Sequence, residues 1–216
     1  MDFAIPSPSA LETRWLGRIS FASALQLQET LVEERREGKI EDTLLLLEHE
    51  PVYTIGRTAD QSSLKSAHLT SIPVVQTNRG GQATYHGPGQ LVGYLILDLN
   101  RMGRDLHRYL RALEKGLIES CAQAGITAER RDGLTGVWVG PKKLASIGVG
   151  VRKWVTMHGF AINVSADLAG FDSINPCGLG VAMTSISREL KRTVELTEFA
   201  ALAVPCLGNA IAELLS

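Results

Sequence analysis

The sequence predicts an α+β domain, a mixed sheet with packed helices. Three observations carry this: strand-like and helix-like apolar patterns are mixed without regular strand–helix–strand alternation, one strongly periodic helix falls near 105–124, and Val137 to Val164 reads as successive strands. At 216 residues, with 44% hydrophobic and 21% charged, the chain can bury a core without staples.

The elements follow in order. Pro6, Ser7, Pro8 and Ser9 cluster before any periodic pattern, which predicts a flexible arm over 1–13 and a single domain over 14–216, with the core starting near Trp15. Ala24, Leu27 and Leu31 recur at helical spacing between Phe21 and Glu37, and Gly38 is a C-terminal stop. Thr43–Glu48 and Val52–Ile55 are short apolar runs that read as buried strands, and Val92–Leu99 is another after a Gly/Pro-rich turn. Leu106, Leu110, Leu113, Leu117 and Cys121 form one stripe of a helix over Asp105–Ala124 that closes at Gly125. Val137–Val139 and Leu144–Val149, joined through Gly140–Lys142, predict a hairpin, with Val155–Val164 beside it. A last helix starts near Thr197 as N-cap, and Pro205 is expected to kink or interrupt it.

Charge and cysteines exclude several classes. With 22 Lys+Arg against 23 Asp+Glu there is no basic footprint for nucleic acid. Cys121, Cys177 and Cys206 form no CxxC and no pair pattern, so neither a disulfide framework nor a zinc cluster is suggested. The first fifteen residues lack a basic region and an apolar core of signal type, and no apolar run approaches the ~20 residues of a membrane span. A soluble cytoplasmic protein without membrane or nucleic-acid partners is expected.

No GxxxxGK[ST] loop occurs, Gly178–Met183 fails GxGxxG at its last position, and Leu144 replaces the first glycine of a GxSxG elbow around Ser146. The histidines show no metal-ligand spacing. Three segments stand out. Arg79–Gln90 sets glycines among donors and acceptors, which suits close backbone approach to a ligand and equally suits a long turn. In Gly140–Gly148, alternation puts Lys143, Ala145 and Ile147 on one strand face, although two adjacent lysines by themselves read as a solvated turn. In Ile174–Gly178, Cys177 lies between Pro and Gly in a loop and is a candidate reactive thiol or a buried structural one; Cys121 and Cys206 fall among apolar residues and read as inert fillers.

Taken together, RGGQATYHGPGQL, KLASIG, HGFAINV and NPCG, in this order, resemble the octanoyltransferase family of lipoate biosynthesis, also called lipoate-protein ligase B. The resemblance covers roughly residues 15 to 190. It implies the α+β catalytic fold of biotin and lipoate ligases around an acyl tunnel. It implies transfer of an octanoyl group from octanoyl acyl carrier protein to a lysine of lipoyl domains, those of 2-oxoacid dehydrogenases and the glycine cleavage H protein. Cys177 would be the acyl-thioester nucleophile and Lys143 its dyad partner. Arg79, Gly80, Gly81, Gln82, Ala83, Thr84, Tyr85 and His86, with Ser146, Ile147, Gly148, Gly159, Phe160 and Ala161, would line the substrate pocket.

The implied chemistry suits these residue types. A free thiol of pKa about 8.5 is only a few per cent thiolate at neutral pH, and a nearby ammonium that lowers it to about 7 raises the reactive fraction roughly tenfold. After acylation the same lysine can serve as base for the incoming amine. Thioester exchange is nearly balanced in energy and amide formation runs downhill, so no cofactor, nucleotide or metal is expected. Backbone N–H groups offered by the Pro176 to Gly178 turn and the Arg79 to Gly81 loop are the expected oxyanion donors. The rivals are an ATP-dependent lipoate or biotin ligase, a cysteine hydrolase using His86 or His158, and a silent lipoyl-domain binder.

Overall fold

The computed structural model describes residues 11–57, 62–175 and 180–215. Ten strands and four helices follow one another as β1 (Glu12–Ile19), α1 (Phe21–Arg36), β2 (Thr43–His49), β3 (Val52–Ile55), β4 (Val74–Gln76), β5 (Thr84–His86), β6 (Gln90–Ile96), α2 (Leu106–Gln123), β7 (Glu129–Arg131), β8 (Leu134–Val139), β9 (Lys142–Arg152), β10 (Val155–Asn163), α3 (Ile186–Leu190) and α4 (Leu196–Ala212) among the described residues. A large sheet runs β1-β2-β6-β10-β9-β8-β7, and a small one β4-β3-β5. Both are mixed: β1 lies parallel to β2 and β4 parallel to β3, while the remaining pairs are antiparallel.

Strand β2 shows why the sheet needs cover on both sides. Leu44 and Leu46 point into the core under α2 and α4, Leu45 and Leu47 into the core under α1, and all four are fully buried. Helix α1 starts where the Ser20 hydroxyl accepts the Ser23 N–H and stops at Gly38 with φ +71. Helix α2 is capped by Asp105 and packs so tightly on α4 that a methyl on Gly116 would stand 2.9 Å from Leu207 Cα.

Three expectations need correction. The arm placed over 1–13 gives way earlier, because Leu11 is buried and Glu12 and Thr13 already pair with Thr43 and Leu44 in β1. Helix α4 begins at Leu196, one residue before Thr197, and runs through Pro205 without interruption. The carbonyl deprived of its donor there belongs to exposed Ala201, where water can satisfy it. Lastly, Lys142, expected in the turn, opens β9 together with Lys143.

Candidate active site

A cavity of about 430 Å³ opens between the large sheet, the Arg79–Ala83 loop and the start of α2. Its wall contains Arg79, Gly80, Gly81, Gln82, Ala83, Thr84 and His86, then Ser146, Ile147 and Gly148, then Gly159, Phe160 and Ala161, together with Lys143. Three sequence segments about 60 and 10 residues apart therefore converge.

The loop is strapped down on two sides. Gly80 N–H donates to Val149 O at 2.9 Å and Arg57 N–H to Arg79 O at 3.0 Å, and a methyl on Gly56 would collide with Gly81 O at 2.0 Å. The Arg79 guanidinium turns inward, with Nη2 donating to Thr54 O at 2.8 Å and to Thr54 Oγ1 at 2.9 Å. Since the Gly80 N–H is committed to Val149, it is removed from the expected oxyanion donors.

Lys143 is 2% exposed. A register shift in the β8–β9 pair places Ala145 opposite Val137 but Lys143 opposite Trp138, with Leu144 as the extra residue of a bulge. Lys143 and Ala145, two apart in sequence, therefore fall on opposite faces, which corrects the simple alternation. Ala145 joins Val137 in the core, and Lys143 Nζ lies over the Trp138 ring, 5.3 Å from its centroid. Lys143 N–H donates to Ala182 O at 2.9 Å and its carbonyl accepts the Thr184 N–H at 3.0 Å.

Cys177 lies outside the described residues. On its flanks, Asn175 N–H donates to Ser63 O at 2.7 Å and Gly180 N–H to Asn175 Oδ1 at 2.6 Å. Both other cysteines are buried in the core, where burial pushes the Cys121 thiol up to about 12 and also raises that of Cys206.

Tyr85 departs from the expected pocket. Thr84 and His86 face the cavity, so by strand alternation Tyr85 faces away, with its ring 5.4 Å from that of Tyr53 and 5.6 Å from that of Phe171. In its place come residues with no recognisable local signal: Phe21 at the start of α1, Tyr94 on β6, Leu134 and Trp138 on β8. Leu106 and Leu110 also line the cavity, and only their place on the amphipathic stripe marked them.

A buried aromatic cluster closes one side. The His49 ring lies 5.6 Å from that of His86 and 5.4 Å from that of Phe21. The Tyr94 hydroxyl donates to His49 Nε2 at 2.7 Å and His49 Nδ1–H to Ile19 O at 3.0 Å. His86 Nδ1–H donates to Gln90 Oε1 at 2.8 Å, and its Nε2 faces Thr54 Oγ1 at 3.3 Å. Burial holds His49 and His158 to pKa values of about 4, and burial first and then His49 put His86 well below the ordinary range. All three are neutral at pH 7. Among the described residues no group of three or more His, Cys, Asp or Glu could hold a metal ion, and no helix is long and apolar enough to cross a membrane.

This mixed sheet with helices on both faces and a cavity over its middle strands defines the catalytic fold of lipoate and biotin ligases. The lipoate protein ligase of Thermoplasma acidophilum superposes with a TM-score of 0.59 at 18% identity, covering 95% of this chain and 84% of that one. The biotin protein ligase of Aquifex aeolicus gives 0.60 at 14% identity, covering 94% and 71%. Residues 20–207 match the lipoyl protein ligase A/B catalytic domain, and the chain belongs to that family. Within it the chain is 53% identical over 195 residues to the octanoyltransferase of Geobacter sulfurreducens, covering 89% of this chain and 82% of that one. It is 56% identical over 198 residues to that of Citrifermentans bemidjiense, covering 90% and 95%.

Proposed function

We propose that this chain is a protein N-octanoyltransferase acting in protein lipoylation, with octanoyl acyl carrier protein as donor, Cys177 as nucleophile and Lys143 as its partner. The acceptors are lipoyl domains, those of 2-oxoacid dehydrogenases and the glycine cleavage H protein, and the setting is the cytoplasm. The observation that carries the reading is a lysine, 2% exposed, in the wall of a cavity large enough for an acyl chain, within a chain more than half identical to relatives named octanoyltransferase.

Two transfers follow. The Cys177 thiolate attacks the octanoyl thioester carbonyl, the carbonyl–sulfur bond to the carrier breaks, and the departing carrier thiolate takes a proton from the Lys143 ammonium, which leaves that amine neutral for the next step. The acceptor lysine amine then attacks the octanoyl–Cys177 thioester, an amide forms, and the Cys177 thiolate departs. Lys143 supplies positive charge near the thiolate in the first step and takes the amine's proton in the second. The Lys143 N–H donates to Ala182 O and its carbonyl accepts the Thr184 N–H, which ties Lys143 to a segment five to seven residues beyond Cys177 in sequence and supports the pairing. Neither step consumes a nucleotide.

The test is incubation with octanoyl acyl carrier protein in the absence of ATP, followed by intact mass and peptide mapping. An octanoyl adduct on Cys177 that passes to a lipoyl domain is expected. Absence of the adduct, with activity requiring ATP and free octanoate, would replace the transferase by a ligase.

A further inference from the structure

Strand β10 breaks its alternation at one residue. His158 has φ +59, a left-handed conformation unfavourable to any non-glycine residue, although the Cα register with β9 runs unbroken from Val155 to Ile162. Two buried polar side chains explain how the backbone is satisfied. Thr156 Oγ1 donates to Leu95 O at 2.6 Å and accepts the Leu97 N–H at 3.0 Å, which occupies those groups at the end of β6 and just beyond it. The His158 N–H turns instead to Gln28 Oε1 on α1, at 2.7 Å.

The turn decides where the imidazole goes. Phe160 and Ile162 lie on the core side under α2 and α4, from which Phe160 also reaches the cavity, and strict alternation would assign His158 to that same side, away from α1. The His158 ring instead stacks on Phe21 of α1 at 6.5 Å with planes 7° apart, stands edge-on to Tyr94 at 6.0 Å, and lines the cavity. Its Nε2 lies 2.6 Å from Asn78 Oδ1, and Asn78 Nδ2 donates to Met157 Sδ, so the ring donates through Nε2–H and keeps Nδ1 as an acceptor.

The Gln28 amide is only half satisfied. It is fully buried, and its Nε2 has no hydrogen-bond partner among the described residues. A leucine of similar size would remove that orphan and strand the His158 N–H in its place. A half-satisfied buried amide calls for another reason to be there.

We propose that Gln28 is a positioning residue of the active site: by accepting the His158 N–H it holds that residue in the left-handed conformation that sets the imidazole in the cavity wall. This rests on the acyl-transfer reading for its kinetic consequence but not for its geometry. Gln28→Leu exchanges one buried orphan for another, so its melting temperature should stay within about 4 °C of the parent. Its kcat/KM for octanoyl transfer should fall about tenfold. His158→Gly, allowed at this φ, should show a similar loss, and Gln28→Leu should add less than about twofold in that background. The ring ¹⁵N shifts of His158 should move from a single Nε2–H tautomer to a mixture in Gln28→Leu. Gln28→Met, with a more adaptable side chain, is the second variant if the leucine does not fold.

An unchanged tautomer, an unchanged rate, or a second full tenfold loss in the His158→Gly background would overturn the proposal. If the parent protein transfers no octanoyl group, the acyl-transfer reading fails, and the ring shifts alone decide the role of Gln28.

Discussion

Lys143 Nζ lies 5.3 Å from the centre of the Trp138 ring because a one-residue bulge at Leu144 turns the lysine away from the face that carries Ala145. The ring is fully buried, so this cation faces aromatic electron density where water competes little. A desolvated pair of this kind contributes about 2 kcal/mol.

Trp138 can therefore be divided into its ring face and its N–H. The indole N–H is buried without a hydrogen-bond partner among the described residues. Trp138→Phe keeps the ring face and discards the orphan, and should retain activity within about threefold; Trp138→Leu should lose at least roughly tenfold. Steady-state octanoyl transfer and urea midpoints measure both, and equal rates in the two variants would rule out a role for the ring.

Stability should fall on mild acidification. His49 and His158 are held to about 4 in the folded protein, below the value of 6.5 they recover on unfolding. As pH drops, the unfolded chain binds these protons first. Stability is thus full above about pH 6.5 and is lost between there and about pH 4, on the order of 3 kcal/mol per histidine. Urea midpoints across this range should show the loss, and His49→Gln should reduce the slope by about one proton. A slope unchanged in His49→Gln would contradict the assignment.

Two glycines of the candidate site should respond differently to the same added methyl, since neither has a positive φ. On Gly159 it would stand 2.3 Å from Gly93 O, so β6 and β10 must part. On Gly148 it would stand 3.1 Å from both Arg79 Cδ and Gly80 O, so the arginine and the loop that carries it need give only by a few tenths of an ångström. Gly159→Ala should lose about 2–3 kcal/mol of stability. Gly148→Ala should stay within about 1 kcal/mol and instead raise KM for the octanoyl donor roughly tenfold. Chemical denaturation and initial rates separate the two outcomes.

Arg35 and Asp42 form a buried pair at 2.6 Å, remote from the cavity residues, and Asp42 also accepts the Asp98 N–H at 3.1 Å. Arg35→Met strands a carboxylate and should cost about 3–5 kcal/mol. Adding Asp42→Asn keeps an acceptor for Asp98 without the charge, and should restore roughly half of that loss. Denaturant midpoints test this, with kcat of the folded protein unchanged.

Strong local patterns made part of the molecule legible from sequence. The continuous apolar run of β2 and the helical stripe of α2 located those elements, because a buried strand or amphipathic helix writes its pattern directly into the chain. The contexts of Cys121 and Cys206 likewise marked them as core residues. The loop from Arg79 to His86 was visible through its glycines. Edge strand β1, with Arg14, Gly17 and Arg18 among its apolar residues, carries no such period and was missed.

Only the tertiary structure decided which way the key side chains face. Lys143 reaches the cavity through a bulge against β8, His158 through a hydrogen bond from α1, and Tyr85 is turned away by its register in β5. Each depends on which backbone groups a partner element leaves available, and a partner distant in sequence is invisible to local periodicity.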